Sequence, residues 1–217
     1  FPYGNIGDGS IEQVVEAEKW LRTQGCTHVR GPIGVNTWGP YRAVIESDGR
    51  APFLGEPTFA PSVWEARGYK ASAHYASALA QNEAQISSSA ERGRLLSEQG
   101  WTLQNLDAFG SFDEALRCFH ALSLDSFSQA FAYTPIDFES FKTMYKPVES
   151  IADPRMVITA FSPDGTPAGF CFSIPDHLNP DLRQFIVKTL AVAPPFRQMG
   201  LGSWLTGAAH RIADAQG

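Results

Sequence analysis

The feature that most limits how this chain can fold lies near its end, in residues 184–217. Gln-Phe-Ile-Val-Lys-Thr-Leu-Ala-Val is an apolar, β-branched run of strand length. Pro194 and Pro195 stop it, since neither can donate to a ladder. Arg197-x-x-Gly200-x-Gly202 follows, and then a stretch that places Leu205, Ala208, Ala209 and Ile212 on one face at helical spacing. The glycines allow a tight turn and a close approach of backbone to a ligand. Such a strand-to-helix loop aims unpaired N–H groups and the positive end of a helix dipole at one point, which favours a phosphate. It is neither a Walker A loop, having no Gly-Lys-Ser/Thr, nor an ordered G-x-G-x-x-G. The other reading is a glycine-rich connection that binds nothing.

The 217 residues allow one large domain or two of ordinary size. A hydrophobic fraction of 43% and 15 phenylalanines are enough for a real core. With a net charge of −6 and no long basic run, nucleic acid is not expected as a partner. No apolar window reaches membrane-spanning length and no charged-then-apolar leader opens the chain, so a cytoplasmic protein without membrane contact is expected. Cys26, Cys118 and Cys171 are odd in number and far apart, which reads as reduced, mostly buried thiols. The five histidines are scattered, with no pair at ligand spacing, and no metal is expected.

From the start, Gly4-x-x-Gly7-x-Gly9 leads into a helix over residues 10–24. Ser10 and Gln13 form a capping box, and Ile11, Val14, Ala17 and Leu21 form its apolar stripe. Glu18 is placed to pair with Arg22, and Gly25 ends the helix. This segment matches Arg197-x-x-Gly200-x-Gly202-Ser203 and its helix in spacing, which suggests an internal duplication; two unrelated glycine-rich helix starts would look the same. In the first copy Gly4 stands where Arg197 is, and Asp8 brings a carboxylate, so that copy is not expected to hold a pyrophosphate.

A short strand is predicted at 27–30. The loop after it carries Asn36, Thr37, Trp38, Tyr41 and Arg42, either lining a site or folding on its own Trp. Residues 50–64 are Pro-rich and aromatic, with a short helix starting at Ala60-Pro61. Residues 70–79 read as a strand and Ser-rich 81–90 as a linker or the connection into the next unit. Then come a strand at 101–109, helices at 113–124 and 137–145 separated by a loop, and strands at 156–161 and 168–174 joined around Asp164-Gly165. A loop at 175–182 leads back to the strand before the glycine turn.

Arg197-x-x-Gly200-x-Gly202, with Thr189-Leu190-Ala191-Val192-x-Pro194 before it, closely resembles the acetyl-CoA signature and preceding strand of the GNAT acyltransferases. The order strand, two helices, hairpin, strand, glycine loop, helix is also that of the first part of a GNAT domain. Gly31-Pro32 through Trp38, Tyr41 and Arg42, with the Pro-rich stretch and Gly68-Tyr69, resembles less specifically the C-terminal half of the first domain of some bacterial tandem GNAT-like proteins.

The resemblance implies an α/β (α+β) fold with a mixed, largely antiparallel sheet flanked by helices. It implies a tandem with both terminal parts missing: residues 1–85 as the C-terminal part of a degenerate domain, and 91–217 as the N-terminal part of a domain carrying the acetyl-CoA loop. A single permuted domain is the alternative. The activity implied is transfer of an acetyl or other acyl group from acetyl-CoA to an amine of a small-molecule or peptide acceptor. Leu190, Ala191 and Val192 would pair with the pantetheine arm. Gln198, Met199, Gly200, Leu201, Gly202 and Ser203 would hold the pyrophosphate, with Arg197 adding charge.

The glutamate that many members carry on the preceding strand is not there; the strand offers Gln184, Lys188 and Thr189. Tyr133, Asp176 and His177 are the candidates for proton transfer, although for each of them the sequence favours a solvated loop residue. A catalytically weak CoA-binding or interaction module is the second function the sequence allows.

Overall fold

The computed structural model describes residues 3–216 apart from 8, 35, 51–60, 80–82 and 183. Asp8 and most of the Pro-rich aromatic stretch therefore lie outside the described residues. The chain divides into two compact units, residues 1–79 with 131–134, and residues 80–130 with 135–217.

In the first unit β1 (Tyr3–Asn5), α1 (Ile11–Thr23) and β2 (His28–Arg30) form a parallel strand–helix–strand turn, with Gly4 opposite Val29. The capping box is present: Ser10 Oγ accepts from Gln13 N–H at 3.3 Å, and Gln13 Oε1 accepts from Ser10 N–H at 2.8 Å. Gly25 takes φ +79° just past the helix, a conformation that suits glycine. Val14 and Leu21 pack on Ile6 and on Trp64 of α2 (Pro61–Glu65).

Two expectations change in this unit. Glu18 does not turn to Arg22. Its carboxylate accepts from Arg67 Nη2 at 2.5 Å and Nε at 3.2 Å, and from Tyr69 Oη at 3.0 Å, two side chains that the turn after α2 brings to this helix. Residues 70–79 form no strand: alternating Ala and Ser side chains give that stretch no apolar face to bury, and most of it is exposed. In the loop around Trp38, Asn36 Oδ1 accepts from Trp38 N–H, and Thr134 O, 96 positions away, accepts from the indole N–H.

The second unit is a four-stranded antiparallel sheet in the order β3 (Thr102–Gln104), β4 (Val157–Phe161), β5 (Pro167–Pro175), β6 (Phe185–Val192). Together the two units make a mixed, largely antiparallel α/β chain. Ile158, Ala160 and Cys171 pack with Leu201, Trp204, Leu205, Ala208 and Ala209 of α6 (Leu201–Gln216). Phe170 and Phe172 meet the other layer, where Phe170 stacks on Phe119 of α4 (Phe112–Phe127) at 4.6 Å and Phe172 lies edge-on to Tyr145 of α5 (Phe138–Tyr145) at 6.5 Å. Asp164-Gly165 makes the β4–β5 turn, with Gly165 at φ +81°.

The strand at 101–109 is cut to three residues, because Asn105 Oδ1 caps a 3-10 turn by accepting from Asp107 N–H at 3.2 Å.

The Ser-rich stretch is not a linker. It is the start of α3 (Glu83–Glu98), whose Ile86, Ser89, Gly93 and Leu96 fall along one side. Ser89, Gly93 and Leu96 are buried. A Cβ on Gly93 would overlap the Trp204 indole, and one on Gly207 would overlap Ser89 Oγ. Small residues let α3 lie directly on α6, so composition that reads as a flexible connector instead makes a close helix crossing.

Candidate functional site: an open strand edge and a glycine loop

β6 is the last strand of its sheet, paired only with β5 among the described strands. Ala193 N–H donates to Ala168 O at 2.9 Å. Peptide groups alternate in direction along a strand, so those of Leu190 and Val192 face the open edge. Thr189 pairs with Phe172 and Val187 with Ser173, which leaves Lys188 as the extra residue of a β-bulge. Ala191 is buried; the Leu190 side chain is 37% exposed beside the start of α6.

Past Val192, Pro194 and Pro195 turn the chain through one 3-10 turn into the glycine loop. Gln198 at φ +65° and Gly200 at φ +90° both adopt left-handed backbone, and alternation of this kind gathers successive N–H groups into a concavity that receives anions. Gly200 O accepts the first bond of α6, from Trp204 N–H at 3.0 Å. Among the described residues the N–H groups of residues 198–203 meet no acceptor, and no side chain caps them. They stand at the positive end of a 16-residue helix. A Cβ on Gly202 would meet only Leu190 Cδ2, at 3.7 Å, so the loop runs directly beside the open strand edge.

Arg197 is placed otherwise than as a free charge. Its Nε donates to Val192 O at 3.3 Å and its Nη2 to Ser126 O at 2.8 Å, so it ties the loop to the end of α4. The first glycine segment does not share this geometry. Gly4, aligned with Arg197, sits inside β1, and Ser10, aligned with Ser203, is the N-cap of its helix, where Ser203 is already helical.

The proton-transfer candidates fall in different units, Tyr133 in the first, Asp176 and His177 in the second. Asp176 is 3% exposed, and its carboxylate accepts from Gln184 Nε2 at 2.7 Å, Asn179 Nδ2 at 3.0 Å, and Leu178 and Asn179 N–H at 3.2 Å. Burial pushes its pKa up, but these hydrogen bonds outweigh it and hold the carboxyl below its ordinary value. It anchors the β5–β6 loop. His177, next to it, is exposed. Tyr133 groups with the first unit, where its ring lies 6.0 Å from that of Trp38.

The bulge residue makes a contact that no local pattern in the chain announces. Lys188 Nζ donates to Tyr145 Oη at 3.1 Å and lies 5.0 Å from that ring and 5.9 Å from Phe172. A lysine inside a strand could have been noticed; that Tyr145, 43 positions away, meets it could not.

Among the described residues no group of three or more His, Cys, Asp or Glu could hold a metal ion, and no helix is long and apolar enough to cross a membrane.

Just over half of the chain matches solved structures of N-acetyltransferases. A GCN5-related N-acetyltransferase from Sphaerobacter thermophilus is 19% identical, the match taking in 55% of this chain and 33% of that one at a TM-score of 0.44. The ribosomal-protein-S18-alanine N-acetyltransferase from Escherichia coli is 17% identical over 54% of this chain and 61% of that one, at 0.37. A GCN5-related N-acetyltransferase from Kribbella flavida is 18% identical over 55% and 68%, at 0.39. The chain thus spans about a third of the first of these proteins and less than two thirds of the second. Neither a family model nor a curated protein matches the sequence.

Proposed function

We propose that residues 91–217 bind acetyl-CoA or a related acyl-CoA and that the protein transfers the acyl group to an amine. The observation that carries this reading is the run of N–H groups from 198 to 203 without acceptors, set at a helix N-terminus and next to an open strand edge. A pyrophosphate satisfies those donors. An amide-bearing arm can pair with the outward peptide groups of Leu190 and with Val192 N–H, Val192 O being held by Arg197, and follow the strand toward the bulge at Lys188. The amine nitrogen would then attack the thioester carbon, the C–S bond would break, the CoA thiolate would leave, and the amine proton would pass to solvent or a side chain. Holding the two reactants in line is the main contribution such a site makes.

Gly202→Ala tests the site cleanly. The added Cβ has only an ordinary contact with Leu190, and alanine in a helix is favoured over glycine by about 0.5–1 kcal/mol, so the fold should hold or gain stability. The same methyl stands where the phosphate must approach. Calorimetric titration should show acetyl-CoA binding to the wild type and binding at least tenfold weaker to Gly202→Ala, with an unchanged or higher melting temperature. Equal affinity in both proteins overturns the assignment.

A CoA-binding module without turnover is favoured by one feature: among the described residues β6 carries no carboxylate, and Asp176 nearby is fully engaged. Release of free CoA thiol with a panel of amines separates the two readings.

A further inference from the structure

The strand-edge site needs positive charge near its phosphates, and Arg197 spends its guanidinium on Val192 O and Ser126 O. A second arginine lies at the same loop. Were a Cβ present on Gly200, it would stand 2.7 Å from Arg92 Cδ and Cγ and 2.9 Å from Arg92 Nε, so the Arg92 side chain is laid across that glycine. Arg92 comes from α3, which the Gly93–Trp204 and Ser89–Gly207 contacts hold against α6. The neighbouring carboxylates do not neutralise it. Arg94 takes both, meeting Glu91 Oε1 at 2.9 Å through Nη2 and Glu98 through Nη1. Among the described residues Arg92 makes no hydrogen bond or ion pair.

We infer that Arg92 is the phosphate-binding cation of this site, an inference that rests on the acyl-CoA reading above. An arginine fork matches a phosphate's oxygens and forms charge-assisted hydrogen bonds with it. Its stem on Gly200 fixes where the fork can reach, and the glycine's φ of +90° excludes a side chain there that would displace it. CoA offers two sources of phosphate charge within reach of a loop of this kind, the pyrophosphate and the 3′-phosphate.

The test uses Arg92→Met, which keeps the stem over Gly200 and removes the charge, and Arg92→Lys, which restores the charge without the fork. Acetyl-CoA and dephospho-CoA are titrated into each, with thermal melts to confirm folding. Arg92→Met should bind acetyl-CoA about tenfold more weakly than the wild type, the loss expected when one charge-assisted contact at an exposed position is removed. Arg92→Lys should recover part of it, and the wild-type affinity should fall more steeply with salt than that of Arg92→Met. Loss of the same factor for dephospho-CoA identifies the pyrophosphate as the partner; no loss for dephospho-CoA identifies the 3′-phosphate. Wild-type affinity in Arg92→Met overturns the inference while leaving the acyl-CoA site standing. A wild type that binds neither ligand removes both.

Discussion

Arg197 shows how one residue can match a motif and still serve another end. Its two donated bonds fasten the loop to the last turns of α4, so its removal should loosen the scaffold as well as any ligand. Arg197→Ala is expected to lower stability by about 1 kcal/mol, the usual worth of such hydrogen bonds when partly exposed, and to weaken acetyl-CoA less than Arg92→Met does. Denaturant titration together with calorimetry reads both quantities; a larger affinity loss at Arg197 than at Arg92 would reverse the roles of the two arginines. From the sequence, Arg197, Gly200 and Gly202 were legible because a short spacing between a strand and a helix is a local pattern. Arg92 was not, since it is more than a hundred positions away and reaches the loop only through the packing of two helices. Asp176 illustrates the same boundary: the residue could be picked out, but its four donors could not.

At the scale of elements, the crossing of α3 on α6 decides where the loop's flank sits. Gly207→Ala should be costly because the new methyl overlaps Ser89 Oγ, itself held by its bond to Ile86 O at 2.6 Å. Overpacking of this kind costs about 1–3 kcal/mol, and Ser89→Gly in the same chain should recover much of it. Thermal melts of the single and double variants decide; additive losses would mean that the two helices do not meet there. The elements with their own periodicity, α1, α4, α5, α6 and the β4–β5 hairpin, could be read from the sequence, since their apolar faces and turns lie within each segment. α3 and the missing strand at 70–79 could not. Whether a Ser-rich or Ala/Ser-alternating stretch becomes helix, strand or coil depends on the surface it meets, and small residues declare none.

At the scale of the whole molecule, the two units have separate cores, one built on Ile6, Val14, Leu21 and Trp64, the other on α6 and the sheet, and each contains buried tryptophan. The carboxylate tie from Glu18 to Arg67 and Tyr69 sits only in the first. The bond to Arg67 holds the Glu18 carboxyl below its ordinary 4.5 against the opposing effect of burial, with Tyr69 adding to the bond. A lowered carboxyl stabilises the folded form fully above that ordinary value and stops doing so as pH falls through its folded pKa. Tyr69 moves the other way: burial and the same carboxylate push its pKa from 10.0 up to about 12, so its contribution is complete below 10 and fades as pH rises through about 12. One three-residue cluster therefore gives the first unit a contribution to stability that falls away on both the acid and the alkaline side. Glu18→Gln should cost that unit about 1 kcal/mol at pH 7. The deficit should shrink below pH 4.5 and again above pH 10, measured by denaturant unfolding across that range. A deficit that stays constant from acid to alkali would show that the residue holds its unit together by packing and not by charge.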